Sequence, residues 1–320
     1  MESYWAEALK CLAAGICMGF GAIGAGIGEG YAAGQTALGI SRQPRVSGQL
    51  VKTMLIGQAI TETSGIFALV IAILMISTGV RTGGNAVLDI AAVLGAGIAV
   101  GVCGFGVAIG DGYCAGRACD GVARRPSIGG QITGTMLVGQ AVTETPVVFA
   151  LVVAFILLYS GFSGGLEKAA ALLGAGIAMG FGGFGSGIGG GLPGGAASDS
   201  VSRREELRSK IIGTMLIGQA VTQTSAIFAL VVAFLLTFAS GEGNSIVRIA
   251  AFLGAGIAMG MGAIGPGLGT GVPAAAACTS LRVNPRVGPV TTRVMLLGQA
   301  VAQSTAIYSL IIALLMVYVV

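Results

Sequence analysis

One motif recurs four times along the 320-residue chain, and this recurrence limits its possible folds more than any other feature. The stretch GQAITETSGIFALVIAIL, residues 57–74, returns as GQAVTETPVVFALVVAFIL, GQAVTQTSAIFALVVAFLL and GQAVAQSTAIYSLIIALLM. With Glu62 as reference, its counterparts are Glu144, Gln223 and Gln303, at intervals of 82, 79 and 80 residues. Upstream of each copy lies a glycine-rich element: GFGAIGAGIGEGYAAG, GVCGFGVAIGDGYCAG, GFGGFGSGIGGGLPGG and GMGAIGPGLGTGVPAA. A polar turn separates the two elements each time: SRQPR, ARRPS, SRREE and RVNPR. A period this regular sets the architecture ahead of local propensity. Each repeat reads as a hairpin, and the expected units are 1–82, 83–164, 165–243 and 244–320.

The solvent of these hairpins is lipid. Of the residues, 54% are hydrophobic and only 9% charged, with a mean hydropathy of +0.91. A soluble domain carries about 25% charged residues. A membrane helix needs about 20 apolar residues, and each span here exceeds that. Only helices or closed barrels satisfy the backbone in hydrocarbon, and no stretch alternates with period two as a barrel strand would. The expected fold is therefore all-α, with eight transmembrane helices in four tandem hairpins. The opening MESYWAEALK has no basic leader region, so no cleaved signal is expected.

Charge orients the hairpins. Of 17 Lys and Arg, 13 fall in four clusters at the polar turns, which the positive-inside rule makes cytoplasmic, with both termini on the opposite side. The remaining four, Lys10, Arg81, Lys168 and Arg248, sit at the other ends of the spans. Short basic loops between apolar spans, without interleaved aromatics, exclude nucleic-acid binding. The six cysteines lack C-x-x-C spacing and the chain has no His, so they read as small packing residues rather than ligands. Glycines four apart, such as Gly15 and Gly19 or Gly24 and Gly28, share a helix face and let helices approach closely. Small residues in every first span imply first spans crowded together, as around a narrow inner ring. A dinucleotide loop is excluded, because no strand precedes the glycines and no phosphate-binding Lys follows.

Glu62 and Glu144 are the costly residues. A carboxylate at membrane depth costs at least about 2.5–3.5 kcal/mol, so it is paired, neutralised or used. Glu29 lies 33 residues before Glu62, and Asp111 lies 33 before Glu144; the same offset from Gln223 and Gln303 reaches Gly190 and Thr270. Two carboxylates in a low-dielectric site resist double ionisation unless a cation sits between them. Pro146, two residues past Glu144, removes a backbone donor, which either frees a carbonyl or makes a tolerated kink.

A glycine-rich helix, an R-Q-P loop at Arg42, Gln43 and Pro44, and a second helix with a mid-membrane Glu resemble the c-type proteolipid of rotary ATP synthases. Four such hairpins in tandem cover nearly the whole chain. The loop and the GQAxTET stretch look closer to the F-type hairpin, while fused hairpins and missing carboxylates are habits of vacuolar and archaeal relatives. The resemblance implies a rotor ring that turns against a stator a-type subunit, each carboxylate loading and releasing Na⁺ or H⁺. It implies copies of this chain, and other c-type proteolipids, as ring partners. Central-stalk subunits are expected to contact the loops at Arg42, Gln43, Pro44, Arg124, Arg125 and Pro126. No cofactor is implied beyond the transported ion, and catalysis belongs to other subunits. In Na⁺-binding relatives the first-helix position carries an oxygen ligand, which Glu29 and Asp111 match. The other implied ligands are the hydroxyl directly after the carboxylate and the carbonyl two before it, from an adjacent hairpin: Thr63 and Ile60, Thr145 and Val142, Thr224 and Val221, Ser304 and Val301. A latching Tyr of the family stands only at Tyr308, with Phe67, Phe149 and Phe228 elsewhere. Hairpins one and two are thus expected to carry ions, Na⁺ ahead of H⁺, and three and four, with Gln223 and Gln303, to carry none. The alternatives weighed are a vacuolar or archaeal-type proton-pumping proteolipid and a repeat-built secondary transporter or channel. Transporter repeats are usually larger and often inverted, whereas these are parallel and nearly identical.

Overall fold

In the computed structural model, which describes residues 2–78, 85–241, 243 and 245–320, every repeat is a helical hairpin. Arg81, the first hairpin boundary at 82–83 and the start of the fourth unit at 244 lie outside the described residues. The first arms are the long helices α1 (Glu2–Arg42), α4 (Ala86–Arg124), α7 (Leu166–Arg203) and α10 (Ile246–Val283). The second arms are split in three repeats: α2 (Ser47–Thr61) and α3 (Thr63–Thr78), α5 (Gly129–Thr143) and α6 (Thr145–Tyr159), α8 (Arg208–Thr222) and α9 (Thr224–Phe238). The fourth, α11 (Gly288–Tyr318), runs unbroken. No strand occurs among the described residues, and eight helical segments are long and apolar enough to span a membrane. Their 34–39 residues correspond to about 51–58 Å at the α-helical rise, so they project beyond the hydrocarbon layer. The chain is an integral, multi-pass membrane protein.

The first arms pack side by side in chain order and the second arms line their outer face. Glycine makes this contact possible. A Cβ on Gly112 of α4 would run into the backbone of Gly28 on α1, and one on Gly191 of α7 into the backbone of Gly110. Between the two layers, Ala, Val, Leu and Met side chains form a continuous buried cluster, with Ala96, Val100, Leu157, Leu172, Met179 and Leu236 wholly enclosed. Cysteines at 17, 103, 114, 119 and 278 are buried in this packing, while Cys11 is exposed; all six are free thiols.

Each arm ends where its sequence dictates. Pro44, Pro126 and Pro285 open a single tight turn after the first arm, where a missing N–H costs nothing. Arg42, Arg124, Arg203 and Arg282 sit in the last turn of the first arms, complementing the helix dipoles. At the far end Asn85 caps α4, accepting from the Val87 N–H at 3.1 Å. Buried Lys168 donates to the Thr237 and Ala239 carbonyls at 2.6 and 2.9 Å, closing the end of α9. Glu167 pairs with Arg248 at 3.1 Å, tying hairpin three to hairpin four.

Near the polar loops the inner helices share a charge network that the repeat pattern did not reveal. Asp199, 4% exposed, faces Arg117 at 3.3 Å, Arg203 at 3.4 Å, Arg282 at 2.7 Å, and Arg124. Asp120 pairs with Arg124 and, at 2.9 Å, with Arg42. Arg125 pairs with Glu205 at 3.3 Å. Arg42, Arg117, Arg124, Arg125 and Arg282 are therefore engaged with a neighbouring hairpin of the same chain.

Candidate ion-carrier sites

The sites are built on a glutamine ladder. The Gln of each GQA motif, four residues before the carboxylate position, donates its amide to the first arm of its own hairpin: Gln58 to the Glu29 carbonyl at 3.1 Å, Gln140 to Asp111 at 3.1 Å, Gln219 to Gly190 at 2.9 Å and Gln299 to Thr270 at 2.9 Å. These acceptors are the residues that lie 33 before Glu62, Glu144, Gln223 and Gln303. The ladder thus fixes first-arm and second-arm positions at one depth. Sequence reasoning passes over these glutamines, although their presence in all four repeats is the available signal.

In hairpin two the ladder sets two carboxyl groups together. Asp111 is fully buried, Glu144 half-buried, and they lie close enough for their charges to repel. From hairpin one, the Thr63 hydroxyl faces the Glu144 carboxyl. Both Asp111 oxygens, Glu144 Oε1 and the hydroxyl of buried Ser64 have no hydrogen-bond partner. Buried polar atoms are nearly always satisfied, so three orphaned oxygens of one carboxyl pair describe a place made for something that bonds oxygen, and Ser64 stands in the repeat where Ser225 stands when it bonds Gln303. Among the described residues no three His, Cys, Asp or Glu gather as a metal cluster. The donor set is oxygen only, suited to a hard, weakly held cation or a proton rather than to a resident transition metal.

Hairpins three and four show the same pocket filled by an amide. Gln223 Nε2 donates to the Val142 carbonyl at 3.1 Å, and Gln303 Nε2 to the Val221 carbonyl, also at 3.1 Å. Gln303 Oε1 accepts from Ser225 Oγ at 3.1 Å. In each case the carbonyl two before the carboxylate position belongs to the preceding hairpin. The hydroxyl seen bonding lies two residues after that position, at Ser225, rather than one after it at Thr224. Pro146 occupies the corresponding place in hairpin two. It has no N–H for the Val142 carbonyl and no hydroxyl for Gln223, whose Oε1 stays buried without a partner. The Val221 carbonyl takes the same amide bond beside Ser225, with no proline there. Opposite Gln223 the first arm comes close: a Cβ on Gly190 would stand 3.2 Å from the amide nitrogen, a tight contact.

The first site is open. Glu62 is exposed and Glu29 half-buried, near enough to feel each other's charge, and no earlier hairpin stands beside them. At the other end of the chain, Ser304 Oγ donates to the Val301 carbonyl at 2.7 Å, and Val301 and Tyr308 are exposed. Ile60 lies in the last turn of α2, one residue before the buried Thr61, and Thr145 opens α6. Gln43 and Pro44 form the exposed turn after α1.

Comparison with known proteins agrees with this construction. The profile of the ATP synthase C-subunit family matches residues 12–75, 94–157, 173–236 and 253–316, one match per hairpin. The ATP synthase c-subunit of Natranaerobius thermophilus is 51% identical over 69 residues, 22% of this chain and 79% of that protein. The ATP synthase c-subunit of Thermotoga maritima is 51% identical over 67 residues, 21% of this chain and 79% of its own length. A longer relative, the A-type ATP synthase K-subunit of Methanocaldococcus jannaschii, is 32% identical over 230 residues, 71% of this chain and 95% of that protein. With four fused hairpins that each match the family profile, the chain belongs to the ATP synthase C-subunit family, the non-catalytic, ion-translocating rotor proteolipids of rotary ATP synthases.

Proposed function

We propose that the chain is a half-loaded rotor proteolipid whose cargo is Na⁺, carried by Glu62 with Glu29 and by Glu144 with Asp111. The three orphaned oxygens of the Asp111 and Glu144 pair, with the Thr63 hydroxyl facing Glu144, support this reading. A proton satisfies one oxygen pair, whereas Na⁺ takes several oxygens at once, as hard cations do. One Na⁺ and one retained proton leave a carboxylate pair neutral, which is what a site passing through lipid requires. Against a stator cation the same pair can release its Na⁺ and stay ionised. Gln223 and Gln303 are permanently neutral and already hydrogen-bonded to Val142 and Val221, so hairpins three and four, within the bounds 165–243 and 244–320, pass the stator without cargo.

The polar turns are assigned to the cytoplasmic face by their basic residues. There Arg42, Gln43, Pro44, Arg124, Arg125 and Pro126 offer the central stalk a surface, with the stator a-type subunit bordering the second arms. Other c-type proteolipids can share the ring, since each joint is made by the same fold.

Dicyclohexylcarbodiimide attacks protonated carboxyl groups in apolar sites and supplies the test. It is expected to modify Glu62 and Glu144 and to spare the loop residues Glu205 and Glu206. Millimolar Na⁺ is expected to protect both, more strongly as pH rises, because Na⁺ competes with the proton. Absence of Na⁺ protection from pH 6 to 9 would turn the reading to a proton carrier, and modification of the loop acids alone would overturn it.

A further inference from the structure

Near the polar turns, the second arms of hairpins one and two enclose a cavity of about 290 Å³. Lys52 and Ile56 of α2 line one wall, and Gly129, Gly130 and Leu137 of α5 line the other. Thr53 and Thr133 join their hydroxyls across it at 3.2 Å, and the Gln49 amide donates to the Pro126 carbonyl at 2.9 Å. Lys52 is exposed and has no acidic partner among the described residues. The corresponding place between hairpins two and three is full. There the repeat register puts Gly134 where Lys52 stands and Arg208 where Gly129 stands. The Arg208 Nε lies 3.4 Å from the Thr135 hydroxyl, and a Cβ on Gly134 would stand 3.4 Å from its Nη2. Between hairpins three and four, Gly213 takes the place of Lys52 and Pro289 that of Gly130. Of these three joints, the first alone sets a lysine against two consecutive glycines.

We infer that this cavity holds the head of one anionic phospholipid from the leaflet beside the polar turns, its phosphate against Lys52 and the start of its acyl chains against Ile56 and Leu137. Depth is the first support. Lys52 lies ten residues before Glu62, about 15 Å along the helix. Glu62 stands near the middle of the span Pro44–Ser77, so Lys52 reaches the edge of a hydrocarbon layer about 30 Å thick. A lysine there lays its stem along apolar surface and keeps its ammonium among the headgroups. Charge is the second support, because basic pockets between membrane helices attract anionic headgroups. Size is the third. Ligand pockets run from about 300 Å³ upward, so this one admits a phosphate and its glycerol but no folded element of another protein. The next joint needs no lipid, because Arg208 of the chain itself occupies the corresponding space. One such lipid per chain follows, fixed at a single joint of the four-hairpin unit.

The test is a titration of the intact, delipidated complex with phosphatidylglycerol, read as lipid bound to the ring that native mass spectrometry releases. Saturation at one phosphatidylglycerol per chain is expected, with phosphatidylcholine binding several-fold more weakly. Lys52→Gln is expected to raise the lipid level at half-saturation about five-fold, the worth of one cation beside an anionic headgroup. Lys52→Gly combined with Gly129→Arg rebuilds in the first joint the pair found in the second. It keeps the net charge, fills the cavity, and is expected to abolish the bound lipid. Lys210→Gln, an exposed lysine outside the cavity, is expected to change nothing. The whole mass of the ring in each spectrum shows that the variant chains have folded and assembled. Phosphatidylcholine bound as tightly as phosphatidylglycerol, or wild-type affinity in Lys52→Gln, would overturn the site. Displacement of the lipid by millimolar inorganic phosphate would assign the cavity to a free anion and overturn the lipid reading.

Discussion

Replacing Gln223 by Glu tests how many charges the chain moves per turn. Gln223 Nε2 lies 3.1 Å from the Val142 carbonyl, and Gly190 opposite it brings no second acid. A carboxylate in the same place would set a negative oxygen against that carbonyl. The group is stable there only with a proton donated to Val142 or with a cation between the two oxygens, and either makes it a carrier. On the proposed reading, carriers per chain then rise from the two of Glu62 and Glu144 to three. Each added charge crossing 100 mV brings about 2.3 kcal/mol, so every chain in the ring adds that much work per turn. Ions per turn rise ~1.5-fold, and the driving force at which synthesis and hydrolysis balance falls to about two-thirds, since the work per turn scales with the charge moved. The assay is the balance potential of the complex in proteoliposomes, with carbodiimide labelling of the substituted position confirming that the new acid is in its pocket. An unchanged balance potential in a turning, labelled Gln223→Glu ring would refute the half-loaded reading, because hairpin three would already have been carrying an ion.

Gln140→Leu removes two amide bonds, to Asp111 and Gly57; membrane hydrogen bonds average about 0.6 kcal/mol, so a loss of about 1 kcal/mol is expected, read as a lower dissociation temperature of the detergent-solubilised ring. Asp199→Asn leaves four arginines facing one another without their shared carboxylate, and breaking a buried ionic cluster costs about 3–5 kcal/mol; partial exposure of those arginines places the expected loss near the lower figure. Gly112→Ala drives a methyl into the Gly28 backbone and should destabilise by about 1–3 kcal/mol, whereas Gly130→Ala, with open space around it, should be neutral or slightly stabilising in the same melting assay.

Much of this architecture could be read from the repeats. Hydropathy gave the eight spans, the polar turns gave the hairpins, and the 33-residue offset paired Glu29 with Glu62 and Asp111 with Glu144. Contacts between hairpins were harder to read, because a residue's neighbour across a joint lies about 80 positions away and leaves no local pattern. Thus no repeat pattern marks Asp199, which gathers arginines from three hairpins. The GQA glutamines stand in every repeat, but nothing local marks them as the residues whose amides tie each second arm to the first. The hydroxyl directly after the carboxylate position faces the next hairpin at Thr63, and the one two residues after it does so at Ser225, which no local pattern distinguishes.

Pro146 shows what fusion permits. In a ring of identical single hairpins a substitution appears at every joint, so a proline two residues past the carrier would deprive every site of a hydroxyl. In this chain each hairpin has a permanent, distinct neighbour, and Pro146 borders only Gln223, where no carboxylate remains to miss that hydroxyl. Joining the hairpins in one polypeptide therefore releases the repeats from having to mutate in unison. Carrier positions can be given up one at a time, and the side chains that once served them can drift without harm to the sites that still work.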